Sequence, residues 1–202
     1  MPPETVLAFD TSAAHCAAAL LLPDGQVIQR QEPMEKGQAE RLMPLLEDLL
    51  AEAGLGWGDL TRIAVGTGPG NFTGVRISVA AARGLALGLG IPALGITRLE
   101  ALAYGLPRPL LVAEDARRGE AYAQGFDLQG FETACLSPIS DLPPAPHVTG
   151  SAFAEALPPA LPLAEAMARL AAHRAPGPRP APFYLRSADA APPADPPPVI
   201  LP

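Results

Sequence analysis

The chain has 202 residues, 49% of them hydrophobic, which is enough apolar material for a core in one large or two small domains. A formal net charge of −7, a sequence pI near 4.9 and a single lysine, Lys36, leave no basic tract to neutralise a phosphate backbone, so gripping nucleic acid directly is excluded as the chain's main task. Cys16 and Cys135 are too few for a disulfide framework or a metal knuckle, and apolar stretches broken by Gly, Arg or Pro fall short of a membrane span, which reads as a cytoplasmic protein with no membrane segment.

Val6 to Asp10 reads as a buried strand and Ala17 to Leu22 as a second, and the turn Pro23-Asp24-Gly25 leads to a third around Val27 to Gln31. Leu42, Leu45, Leu46, Leu49, Leu50 and Ala53 follow helical spacing, with Pro44 expected in or near the first turn and Gly54 at the stop. Arg62 to Thr67 is a fourth strand, Gly68 to Gly74 a tight loop, Thr73 or Val75 to about Leu89 a second helix, and Ala93 to Thr97 a fifth strand. An antiparallel meander followed by alternating strands and helices predicts a mixed sheet covered by helices.

From Leu110 the pattern restarts. Strands Leu110 to Glu114 and Ala121 to Asp127 flank the turn Arg117-Arg118-Gly119, a further strand is expected within Phe131 to Leu136, and Leu163 to His173 is one more helix. Proline after Ala175 leaves no room for a regular element beyond the apolar patch Phe183-Tyr184-Leu185. The division is therefore a first lobe over 1–105, a reduced second lobe over 106–174 whose last helix could pack on the first, and a Pro-rich segment over 175–202, mobile after about 187.

The most informative stretch is Gly66-Thr67-Gly68-Pro69-Gly70-Asn71-Phe72-Thr73-Gly74-Val75-Arg76, between a strand and a helix. Its glycines and the helix N-terminus could receive an anion; the alternative is a tight turn capped by Asn71 or Thr73. It is not a P-loop, since no Gly-Lys-Ser/Thr follows, and the glycine spacing misses the dinucleotide fingerprint. Asp10-Thr11-Ser12 ends the first strand, where a carboxylate and two hydroxyls could order a ligand in a cleft between lobes. A Ser12/His15/Asp10 triad is rejected for lack of a nucleophile elbow, and His15, His147 and His173 stand isolated from metal-ligand spacing. Asp115, Arg117, Arg118, Gly119 and Tyr122 make a polar hairpin end. The second helix carries a bare stripe of Ala80, Gly84 and Gly88, whose glycines cost roughly 1 kcal/mol each relative to Ala, so close packing against its own sheet, the first helix or a partner is implied.

Leu7-Ala8-Phe9-Asp10-Thr11-Ser12, the loop Ala64 to Ile77, Gly84-Leu85-Ala86-Leu87, Gly90-Ile91-Pro92, Leu99-Glu100-Ala101-Leu102, Asp115 to Tyr122 and Phe183-Tyr184-Leu185-Arg186 together resemble the TsaB (YeaZ) family of tRNA threonylcarbamoyladenosine biosynthesis proteins, over about residues 5 to 186. The resemblance implies an α/β fold of the actin, sugar-kinase and Hsp70 type (ASKHA), two lobes with mixed sheets and a reduced second lobe. It also implies a heterodimer with the larger paralogue TsaD through the two first-lobe helices, recruitment of the ATPase TsaE, and only indirect contact with tRNA, the transfer chemistry lying in TsaD.

On that reading the interface candidates are Leu42, Leu45, Leu46 and Leu49 on the first helix and Ala80, Arg83, Gly84, Leu87 and Gly88 on the second. The cleft or anion candidates are Asp10, Thr11, Ser12, Gly68, Pro69, Gly70, Asn71, Thr73, Gly74, Arg76, Asp115 and Arg118. No catalytic residue and no metal ligand is assigned. Where TsaD-like proteins carry a His-x-x-x-His metal pair, Lys36 to Leu42 has no histidine, and Glu114 to Gly119 departs from the second phosphate loop of the ATP-hydrolysing relatives. No cofactor is expected in the isolated chain, although ATP or ADP could sit at the interface of the complex, and the second lobe reads as too small to enclose a nucleotide. Asn71 stands where the family usually has Ser. Alone, the chain could self-associate into a homodimer. The competing hypothesis is a stand-alone nucleotide hydrolase or phosphotransferase using Asp10 and the Gly68 to Gly74 loop.

Overall fold

The computed structural model describes residues 4–186; the expected mobility after residue 187 lies outside the described residues. In the first lobe, strands β1 (Val6–Asp10), β2 (His15–Leu21), β3 (Val27–Pro33), β4 (Arg62–Gly66) and β5 (Ala93–Ile96) form one sheet in the order β3-β2-β1-β4-β5. The meander pairs are antiparallel, while β4 runs parallel to β1 and β5 to β4 because α2 (Phe72–Leu89) supplies the crossover.

The sheet is buried on both faces by strand alternation. Leu7 and Phe9 of β1 point into a cluster with Leu42, Leu45, Leu46 and Leu49 of α1 (Gln38–Glu52) and Val75, Val79 and Ala82 of α2. Val6 and Ala8 point the other way, into a cluster with Ala166, Met167, Ala168 and Ala171 of α4 (Leu163–His173). Ala17 and Ala19 of β2 meet Ala164 there, small against small, which lets α4 lie close. The helix that ends the second half of the chain thus covers the first-lobe sheet.

The second sheet has the order β8-β7-β6-β9, from β6 (Leu110–Asp115), β7 (Glu120–Phe126), β8 (Cys135–Pro138) and β9 (His147–Thr149). Leu110 and Val112 pack against Leu99, Leu102 and Ala103 of α3 (Arg98–Ala103), which joins the lobes. The opposite face, Leu111, Ala113, Ala121 and Ala123, is covered by Phe131 and Phe153 from loops and by Ile139 from a short 3-10 turn.

Several sequence expectations need correction. Pro44 stands in the second turn of α1, beyond the first. The eighth strand begins at Cys135, because Phe131 is used to cover the sheet and its carbonyl accepts the Gly125 N–H. Helix α3 was not foreseen, although Thr97-Arg98-Leu99-Glu100 is a capping box: the Thr97 hydroxyl accepts from the Glu100 N–H, and the Glu100 carboxylate from the Thr97 N–H. Helix α2, 18 residues with mean hydropathy 1.3, is long and apolar enough to match a membrane span by length and composition, contrary to the expected shortfall, and carries Arg76 and Arg83 on its exposed side.

Candidate functional site

Asp10 lies at the end of β1, only 1% exposed. Its Oδ1 accepts from the Ser12 N–H at 3.0 Å, as in an Asx turn, and from the Ser12 hydroxyl at 2.9 Å, and pairs with His15 Nε2 at 2.9 Å. The antiparallel turn between β1 and β2 brings His15 here. Ser12 and His15 share one carboxylate oxygen instead of passing a proton between them, which is not triad geometry. Burial alone would raise the Asp10 carboxyl, but the His15 hydrogen bond, the Arg98 charge and the Ser12 N–H outweigh it and hold the group below the ordinary aspartate value. Its Oδ2 is buried without a hydrogen-bond partner among the described residues, in the space left by Gly66, where a Cβ would collide with it.

The Gly68–Gly74 loop is pressed onto the same turn. The Asn71 N–H donates to the Ser12 carbonyl at 2.7 Å, and the Thr11 hydroxyl to the Gly74 carbonyl at 2.6 Å. A Cβ at Gly70 would strike the Ser12 carbonyl, and one at Gly74 the Thr11 carbonyl. These two glycines are therefore required by backbone packing within the chain, independently of any anion. Asn71, not Thr73, caps α2: its side-chain oxygen accepts the Gly74 N–H at 3.0 Å.

Between the lobes lies a cavity of about 930 Å³. Its walls include Ser12, Pro69, Gly70, Asn71, Thr73 and Gly74 from the first lobe and Asp115 and Arg118 from the second, eight of the twelve cleft candidates. Asp10 and Thr11 lie beneath the wall, buried. Gly68 turns towards Phe183, and Arg76 lies outside, bonded through Nε to the Tyr184 hydroxyl at 3.0 Å. The volume is of the size of ordinary small-molecule sites.

The sequence reading overlooked Arg98, Glu114, Lys36 and Arg186 in this wall. Arg98 of α3 reaches across the lobes to Glu114, Nε to Oε2 at 2.6 Å, and the other Glu114 oxygen accepts the Ser151 N–H at 2.9 Å. The capping box that starts α3 was the available signal for Arg98. Arg117 and Arg118 stand at the hairpin tip with φ of 66° and 57°, a left-handed conformation costing roughly 1–2 kcal/mol per residue.

On the outer surface the two first-lobe helices differ. Leu42, Leu45, Leu46 and Leu49 are 0–1% exposed within the first-lobe core, so they must be removed from the partner-facing candidates: α1 uses its apolar side to hold the sheet. Ala80, Arg83, Gly84, Leu87 and Gly88 of α2 are all exposed, Leu87 at 78%, and a Cβ at Gly84 or Gly88 would meet nothing within 4 Å. Packing among the described residues does not account for this stripe.

Residues 32–137 match the family of TsaD, tRNA N6-adenosine threonylcarbamoyltransferase. The tRNA threonylcarbamoyladenosine biosynthesis protein TsaB of Escherichia coli is 39% identical over 122 residues, 58% of this chain and 52% of its own length, and that of Bacillus subtilis is 39% identical over 124, 58% and 53%. The chain thus matches about half the length of these named relatives. An uncharacterised Mycobacterium tuberculosis protein is 34% identical over 200 residues, covering 93% of this chain and 94% of its own. Among solved structures, YeaZ from Pseudomonas aeruginosa is 33% identical with a TM-score of 0.68, covering 83% of this chain and 90% of its own.

Proposed function

Since the chain belongs to the TsaB (YeaZ) family, we propose that it serves tRNA threonylcarbamoyladenosine biosynthesis as a non-catalytic subunit that docks on a TsaD-family transferase through the exposed face of α2 and helps recruit TsaE. The observation that carries the docking half is the stripe Ala80, Gly84 and Gly88, bare, exposed and unused by packing among the described residues. Two glycines inside a helix lower its stability by roughly 2 kcal/mol together, and close approach of another helix would offset that. The match of residues 32–137 to the TsaD family supports a pairing of like with like, with the exposed face of α2 as this chain's contribution.

Three features support placing the transfer chemistry in the partner. The stretch Lys36 to Leu42 offers no histidine pair to a metal. The Asp10 carboxylate lies beneath the cleft wall, with Oδ1 committed to its own turn. A net charge of −7 suits indirect contact with tRNA. The same withdrawal of Asp10 weighs against a stand-alone nucleotide hydrolase, despite the roomy cleft.

The test is co-purification and sizing with the cognate TsaD-family protein, with and without TsaE and nucleotide. A complex that Gly84→Leu weakens at least tenfold, while the unfolding midpoint of the isolated variant stays near wild type, is the expected result. No complex under any of these conditions would end the proposal, and turnover of threonylcarbamoyl adenylate and tRNA by this chain unaided would end its non-catalytic half.

A further inference from the structure

We propose that the segment Phe183–Arg186 is a strap that couples the exposed face of α2 to the tip of the β6–β7 hairpin, so that an occupant of the helix is felt at the second-lobe wall of the cleft; its partner-dependent half rests on the docking reading above. Three consecutive side chains reach three different parts of the molecule. The Tyr184 ring stacks on Phe72 at the start of α2, centroids 4.3 Å apart and planes 11° from parallel, and its hydroxyl accepts from Arg76, which lies on the exposed side of the helix. Leu185 packs into the cluster of Leu99, Leu102, Leu110 and Val112 where the lobes join. Arg186 Nη2 donates to the Ala116 carbonyl at 3.0 Å and to Glu120 at 2.6 Å, on either side of the hairpin tip.

One residue earlier, the Phe183 N–H donates to the Thr67 carbonyl at 2.8 Å, and its own carbonyl oxygen lies 3.0 Å from where a Gly68 Cβ would stand, at a glycine with φ of +98°. The strap has no helix or strand of its own. Among the described residues its path is held by side-chain and backbone anchors of this kind and not by a helix or ladder of its own, so a loss at one end loosens the other. The hairpin tip needs such support, because two successive non-glycine residues in the left-handed region persist only where their surroundings over-determine them.

Hydrogen exchange on the full chain separates the outcomes, read at the loop and helix start 68–76, at the hairpin amides 116–120 and in β1 and β2 as reference. In the isolated protein, Tyr184→Ala is expected to speed exchange about five- to tenfold at 116–120 as well as at 68–76, Arg186→Ala to do the same at 116–120, and Arg186→Lys to restore part of the protection, with β1 and β2 unchanged. Acceleration by Tyr184→Ala confined to 68–76, or equal acceleration everywhere, would overturn the coupling. When the TsaD-family protein is added to wild type, slowing on α2 should be accompanied by slowing at 116–120. Slowing on α2 alone refutes the strap, whereas no slowing on α2 refutes the docking reading and leaves the isolated variants to decide the strap.

Discussion

Two groups of glycines, nearly three helical turns apart on the same connection, have opposite explanations. Gly66, Gly70 and Gly74 sit where a single added carbon would run into Asp10, the Ser12 carbonyl or the Thr11 carbonyl, so the fold itself demands them. Gly84 and Gly88 face open space among the described residues. A glycine that the chain's own packing does not use, in a helix interior that disfavours it, points to a demand from outside the chain. The loop and the first turn of α2 are thus internal machinery, and the later turns are surface held in reserve.

The largest effect should come from violating the first group. Gly74→Val is expected to leave no stably folded protein, and Gly74→Ala to lower unfolding stability by about 3 kcal/mol, at the upper end for overpacking because the obstacle is backbone. Equilibrium denaturation measures it; a near-neutral Gly74→Ala would erase the contrast between the groups. Next is α1, where inner and outer apolar residues can be set against each other. Leu46→Ala, fully buried, should cost about 2–5 kcal/mol, whereas Met43→Ala, at a site 37% exposed, should fall well below that. Equal costs would mean that α1 is not seated as described.

A smaller effect concerns acid. The Asp10 carboxyl is held below its ordinary value in the folded chain, as are Glu4, by its hydrogen bond to Arg62, and Glu32, by its hydrogen bond to Arg41. A lowered folded value means stability that is fully present above the unfolded value, near pH 4, and lost as pH falls through the folded one. Asp10→Asn should be less stable than wild type at pH 7, with the gap narrowing as pH falls towards 3 in denaturant titrations. A gap that stays constant over that range would show that the Asp10 charge contributes nothing and that Gly66 merely leaves room for a shape.

Much of the fold was legible because it rests on local pattern. The strand Val6–Asp10, the helix Leu163–His173 and the stripe on α2 follow from apolar runs and helical spacing that one sequence displays. What stayed hidden depends on how the chain turns back on itself. Helical spacing cannot tell an apolar face that covers a sheet from one that meets a partner, so Leu42 to Leu49 were given to the wrong surface. The approach of His15 to Asp10 depends on a turn, that of Arg98 to Glu114 on two sheets meeting, and that of Tyr184 to Phe72 on the path of a segment without periodicity. Of these, Arg98 had a visible marker, the capping box at its helix start, and the tail had only its apolar patch.

The smallest effect is the most discriminating, because its sign is unusual. With open space at the Cβ position and α-helical backbone, Gly84→Ala should stabilise the isolated chain by up to about 1 kcal/mol, and Gly88→Ala, in the last turn, by less. A TsaD-family partner that approaches the bare stripe would be pushed away by the same methyl groups, so affinity should fall while stability rises. Thermal unfolding and binding of each variant, measured side by side, decide between two accounts of the stripe. Stability and affinity moving in opposite directions identifies glycines retained for contact with another chain, whereas a loss of stability in the isolated protein would return Gly84 and Gly88 to the internal group and remove the contrast on which the docking face depends.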